Sequence, residues 1–285
     1  MIRDIAGHQN HSVKLARKLQ KKKFRRERGL VVGEGMDLLR AAVAGGADIR
    51  EILVRRELLS EVPAGLREQA AAFSGPASKT PLDEDSVSAG VDIGVCNQET
   101  LDHASSLGGS ADVIFICVQP EGRLADVDLG SGVTFYLDGV GDPGNVGTLC
   151  RGAVAFGLSG LICSPGSADP WSPKALRAGM GAQFSIPVIT EVEPRDLVGR
   201  FAALKAKGLG APEVFVADSN GGADVREVAP AAGIGVLLVL GSERNGPLAE
   251  WHDARRVTIP QKRFDSLNVA MAGTVLAYEL GRARG

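Results

Sequence analysis

From residue 133 onward the chain alternates short apolar runs with stretches of helical period, and no other feature restricts the fold as tightly. The pattern predicts strands at 133–138, 160–163, 186–189, 214–218, 235–240 and 256–259. Helices are predicted at 146–157, 173–180, 195–206 and 266–281. Strands separated by helices cannot pair as hairpins, so the expected fold class is α/β with a mainly parallel sheet covered on both faces. Ligands of such sheets bind beyond the carboxyl ends of the strands.

Three polar, glycine-bearing loops fall at that edge. Strand 133–138 runs into Gly139-Val140-Gly141-Asp142-Pro143-Gly144-Asn145, strand 235–240 into Gly241-Ser242-Glu243, and strand 256–259 into Pro260. The first loop fits G-x-G-x-x-G, a weak signal for a nucleotide on its own. Each polar residue here also has a plain structural reading. Asn145 suits a helix N-cap and Ser266 another. Arg151, two turns into the next helix, could be a solvated arginine, and Glu243 a solubilising one. Ala270, Ala272, Gly273 and Ala277 suit a last helix that packs closely.

The amino-terminal part reads as a smaller α/β module over 1–120, followed by a linker at 121–132 rich in glycine. Helices are expected at 11–28, 34–44 and 66–73, with strands at 30–32, 49–54 and 113–118. Net charge is −2, from 32 Lys/Arg and 34 Asp/Glu, but residues 1–30 hold ten of the basic residues against Asp4 and Glu27. That local +8 excludes a uniformly basic coat and points to one phosphate-facing surface. Its candidate contacts are Lys21, Lys22, Lys23, Arg25 and Arg26.

The 44% apolar content suffices for a packed core, and no apolar run nears the ~18–20 residues that span a bilayer. With no signal-like leader, a cytoplasmic protein is expected. Four cysteines without CxxC spacing and four scattered histidines predict buried thiols and no metal.

Order and spacing carry more than any single residue. Asn145 precedes Arg151 by six. Gly241-x-Glu243 follows a strand. Ile259-Pro260 leads to Ser266-Leu267-Asn268-Val269 and an alanine-rich helix. Together these resemble the three motifs of the SpoU/TrmH family of RNA ribose 2′-O-methyltransferases, over about residues 131–285. Asn10, the basic helix and Val32-Gly33-Glu34-Gly35 look like the family's ribosomal-protein-like RNA-binding extension. Two departures stand out: Gln261-Lys262-Arg263 follows Ile-Pro in a loop one residue short, and Gly152 stands where Thr or Ser is usual.

The resemblance implies a trefoil-knotted SPOUT-type domain and a homodimer. It implies S-adenosylmethionine held largely by backbone at Gly241, Ile259 and Leu267. Arg151 would stabilise the reacting 2′-oxygen and contact RNA, with Asn145, Glu243, Ser266 and Asn268 orienting it. The implied partner is RNA, ribosomal ahead of transfer RNA. A catalytically inactive RNA-binding protein and a Rossmann-type oxidoreductase remain as alternatives.

Overall fold

The computed structural model describes residues 1–72, 90–106, 111–242, 249–262 and 266–283. The chain divides into two compact units. One is Met1–Pro120 with Trp171–Phe184; the other is Glu121–Pro170 with Ser185–Gly285.

The first unit is a mixed five-stranded sheet. Its strands are β1 (Ile2–Asp4), β2 (Leu30–Glu34), β3 (Ile49–Arg55), β4 (Asp92–Cys96) and β5 (Val113–Val118), in the order β1-β4-β3-β5-β2. β5 runs antiparallel to β2 and β3, while β4 is parallel to β1 and β3. Among the described residues, five helices precede residue 105: α1 (His11–Leu19), α2 (Lys22–Arg28), α3 (Met36–Ala44), α4 (Ala64–Ala72) and α5 (Gln98–Ala104). Val13, Leu15, Ala16 and Leu19 put one face of α1 into a core with Leu30, Val32, Leu53, Ile114 and Ile116. At the end of β2 the buried Glu34 carboxylate accepts from Gln20 Nε2, Ser105 Oγ and both the N–H and Oγ of Ser106, at 2.6 to 3.0 Å. A carboxylate can be buried only with such a set of donors.

The single helix expected at 11–28 is two. Lys21 is extended (φ −95°, ψ 130°) and the chain restarts as α2. Arg25 explains the break. Its Nη1 donates to Leu19 O (2.8 Å) and Gln20 O (2.9 Å), carbonyls that a helix end leaves without partners. Arg25 is only 2% exposed. Its assignment to RNA contact is therefore corrected: its charge is used inside the fold. β1 and β4 also escaped the sequence reading. β1 has three residues, and β4 carries Gly94, where a Cβ would lie 2.1 Å from Ile5 Cδ1.

The second unit is a seven-stranded sheet of β6 (Val133–Asp138), β7 (Gly160–Cys163), β8 (Val188–Ile189), β9 (Glu213–Ala217), β10 (Ala223–Asp224), β11 (Val236–Gly241) and β12 (Arg255–Thr258). The order is β10-β12-β9-β11-β6-β7-β8 and all its ladders are parallel, as the alternation predicts. Its helices are α6 (Pro143–Ala155), α8 (Pro194–Ala206) and α9 (Val269–Arg282), while α7 (Pro173–Gly179) lies in the first unit. Tyr136, Ile162, Val216, Leu237, Val239 and Trp251 form a core. Val127 and Leu129, in the stretch read as a linker, are buried in that same core. The polar groups of large core residues are satisfied: Trp251 Nε1 donates to Asp138 (3.1 Å) and Tyr136 O–H to Val192 O (2.9 Å).

The start of β11 depends on close backbone approach. A Cβ on Gly235 would sit 2.1 Å from Leu129 O, an atom no rotamer change can move. Gly235→Ala should therefore lower stability by about 1–3 kcal/mol, the usual cost of overpacking. Thermal unfolding checks this, and an unchanged melting temperature would contradict the packing described.

Candidate functional site

Parallel pairing brings the ends of β9, β11 and β12 to one edge. Gly241 stands opposite Asp138, and Val257 opposite Ala217. Beyond that edge lies a cavity of about 560 Å³. This is within the ~300–1,000 Å³ typical of small-molecule sites. Gly241, Ile259 and Leu267, the three residues expected to hold a cofactor, all line it, and so does Ser266. The start of α9 closes it with Val269, Ala272 and Leu276.

One wall was not foreseen. Asp218, Ser219 and Asn220, beyond β9, line the cavity beside Arg256 and Thr258. The Asp218 carboxylate pairs with Arg256 Nη1 and also accepts from Asn220 N (2.8 Å). Asn220-Gly221-Gly222 reads from sequence as a surface turn. The rule that placed the other loops applies equally to the end of β9, so the signal was present.

The last helix is positioned by one amide. Asn268 Oδ1 accepts from Ala270 N (2.9 Å) and Met271 N (3.3 Å), making Asn268 the N-cap of α9. That is the capping role that sequence allowed to Ser266. With its oxygen committed, Asn268 donates through Nδ2 to Asn145 Oδ1 (3.0 Å). Asn145 is not a cap either. Asp142 caps α6, accepting from Asn145 N (3.0 Å), with Pro143 at the first helical turn. The structure thus joins Asn145 of the first motif to Asn268 of the third.

Small residues let α9 come close, as their clustering suggested. A Cβ on Gly273 would be 2.5 Å from Leu149 Cδ2 and 2.6 Å from Leu240 Cδ1. Gly152 faces Thr274, whose Oγ1 would lie 3.2 Å from an added Cβ. Thr274 Oγ1 donates to Ala270 O (2.7 Å), so a hydroxyl stands opposite the position where the sequence lacks one.

Arg151 is exposed on α6 and does not line the cavity. Glu243 lies outside the described residues, as does Arg263. Lys21, Lys22, Lys23 and Arg26 are exposed in the first unit. All four cysteines are buried thiols, none in a disulfide. Burial pushes the Cys150 thiol up to about 12 and Cys96 to about 11, so both stay protonated and inert as nucleophiles. No helix among the described residues is long and apolar enough to cross a membrane.

Residues 132–278 match the model of the SpoU rRNA Methylase family, and residues 10–108 the MRM3-like substrate binding domain. The chain is 29% identical over 282 residues to the 23S rRNA (guanosine(2553)-2′-O)-methyltransferase of Bacillus subtilis, covering 98% of this chain and 99% of that protein. It is 34% identical over 149 residues to the 23S rRNA (uridine(2479)-2′-O)-methyltransferase of Streptomyces viridochromogenes, about half of each chain. Among solved structures, the AdoMet-bound rRNA methyltransferase from Sinorhizobium meliloti superposes with a TM-score of 0.78 at 26% identity, covering 98% of this chain and 97% of that one.

The two jobs of Asn268 can be separated. Asn268→Ala removes the cap and should cost about 0.5–2 kcal/mol. Asn268→Asp keeps an acceptor at the positive end of α9 but cannot donate to Asn145, so its melting temperature should stay near that of the parent. Equal loss of stability in both variants would mean that the cap is not what Asn268 supplies.

Proposed function

The chain belongs to the SpoU rRNA methylase family, and from that membership we propose that it methylates a ribose 2′-hydroxyl of ribosomal RNA with S-adenosylmethionine as donor. The observation that carries the reading is the cavity at the sheet edge, where Gly241 of the second motif meets Ile259 and Leu267 of the third. The residues present fit the cofactor. The volume is that of a nucleoside-sized ligand, and main-chain N–H and C=O groups at these positions can hold an adenine. Asp218 offers an acceptor that Arg256 holds in place. The AdoMet-bound state of the Sinorhizobium relative supports the same assignment.

When bound there, S-adenosylmethionine supplies an electrophilic methyl group. The remainder of the chemistry falls to the chain. A ribose hydroxyl is a weak nucleophile, and negative charge grows on its oxygen as it bonds the methyl carbon and its proton passes to solvent water. Arg151 is the residue to stabilise that oxygen. An arginine guanidinium offers five donors and no acceptor, so Arg151 acts electrostatically and not as a base. The same fork can hold an adjacent phosphate. The Asn145–Asn268 bond sets the spacing of α6 and α9, with Ser266 and Glu243 completing the orientation of the RNA backbone.

The first unit would capture RNA through Lys21, Lys22, Lys23 and Arg26. Its likeness to a substrate binding domain supports that role. Transfer RNA is the second candidate substrate. The knotted chain course, a cytoplasmic location and a homodimer belong to the same proposal. For the homodimer there is a surface: Met271, Val275 and Tyr278, spaced along one face of α9, are 41–59% exposed beside Val154 and Phe156. The Phe156 and Tyr278 rings lie 5.5 Å apart. Arg151 shares α6 with this patch, three residues before Val154.

Two outcomes are expected. Arg151→Ala should lower the rate of methyl transfer to ribosomal RNA by about 10²–10³ while calorimetry shows unchanged cofactor affinity; a near-normal rate removes Arg151 from the reaction. A Met271→Asp, Tyr278→Asp double variant should sediment as a folded monomer and the parent as a dimer. A monomeric parent would end the dimer proposal.

A further inference from the structure

The junction of α1 and α2 forms a site that the methyl-transfer reading does not use. The break at Lys21 turns α2 against α1 and leaves a notch of about 140 Å³. Its lining includes His11, Lys14, Leu15 and Lys18 from α1 and Phe24 from α2. The α1 residues fall within one ~100° arc of the helix, at spacings of three and four. Leu15 is buried, Phe24 is half-buried against the core, and Lys14 and Lys18 are exposed. Lys18 Nζ sits 6.0 Å from the centroid of the Phe24 ring. Glu27 also lines the notch, with Lys23 Nζ at 3.7 Å to offset its charge.

A half-exposed aromatic floor under a cationic rim is the chemistry that binds single-stranded nucleic acid, base on ring and phosphate on ammonium. The volume lies below the ~300 Å³ at which small-molecule sites begin, so it suits one ring system and not a whole cofactor. We propose that this notch receives one unstacked nucleotide of the RNA, its base against Phe24 and Leu15 and its phosphate between Lys14 and Lys18. Arg25 shapes the site without touching the nucleotide, because its guanidinium is spent on the carbonyls of Leu19 and Gln20. The proposal rests on the reading of the protein as RNA-binding and adds where a base is held.

The test reads binding directly, with no cofactor and no methyl transfer. The probe is a fluorescein-labelled single-stranded RNA twelve-mer of mixed sequence, and the readout is anisotropy across a salt series with the full chain. Phe24→Leu keeps an apolar side chain on the core but removes the stacking face. It should weaken binding by about 5- to 100-fold with an unchanged log–log salt slope. Lys14→Ala with Lys18→Ala should instead flatten the slope by about 0.7 per lysine. Independently of any variant's stability, the same RNA carrying 5-iodouridine should photocrosslink within residues 11–28 of the parent protein. Parent-level binding by Phe24→Leu, a salt slope that falls along with its affinity, or crosslinks confined elsewhere would overturn the notch and leave the proposed function standing. A parent protein that binds no RNA would overturn both.

Discussion

Parallel pairing of β9, β11 and β12 is the constraint on which the second unit rests. Because these strands run the same way, residues 217–220, 240–242 and 257–261 must leave the sheet at one edge. No side chain has to be placed by a dedicated contact for the cavity to exist. Register brings Gly241 level with Asp138 and Val257 level with Ala217. Small residues and chain course then define its walls. A site so built tolerates drift at most positions, provided that the loops keep their length and the strands their order.

α9 is the second element of that design. Asn268 fixes where it starts, and Gly273 fixes how near it comes to β11 and α6. One face of its first turns closes the cavity, while Met271, Val275 and Tyr278 face outward. The bond between Asn268 and Asn145 links its start to that of α6. Two motifs more than a hundred residues apart thus meet through a hydrogen bond.

Much of this was legible beforehand, for reasons that differ by element. Strands 133–138, 160–163 and 113–118 were read to the residue, since continuous apolar runs bounded by glycine or charge leave little latitude. Gly241, Ile259 and Leu267 come from the resemblance alone, and all three line the cavity. The caps were harder. Asp142 and Asn145 are both eligible, as are Ser266 and Asn268, and only the path of the chain selects between them. The break between α1 and α2 was invisible because Arg25 reads as one more surface cation in a basic run. That residues 171–184 join the first unit is equally a matter of long-range packing, which no local pattern records. Asp218 is within reach of the sequence, since the sheet-edge rule covers the end of β9 as it does the other loops.

Arg25 has a consequence for how the first unit responds to its medium. Mobile ions weaken attractions between solvent-exposed charges over a Debye length of about 8–10 Å near physiological strength, and act far less on buried groups. Lys14, Lys18, Lys21, Lys22 and Lys23 belong to the first kind and Arg25 to the second. Brine that strips a polyanion from this surface should therefore leave the bend between α1 and α2 standing. If this surface holds RNA as proposed, it keeps its shape when it has lost its grip, and recapture after dilution requires no refolding.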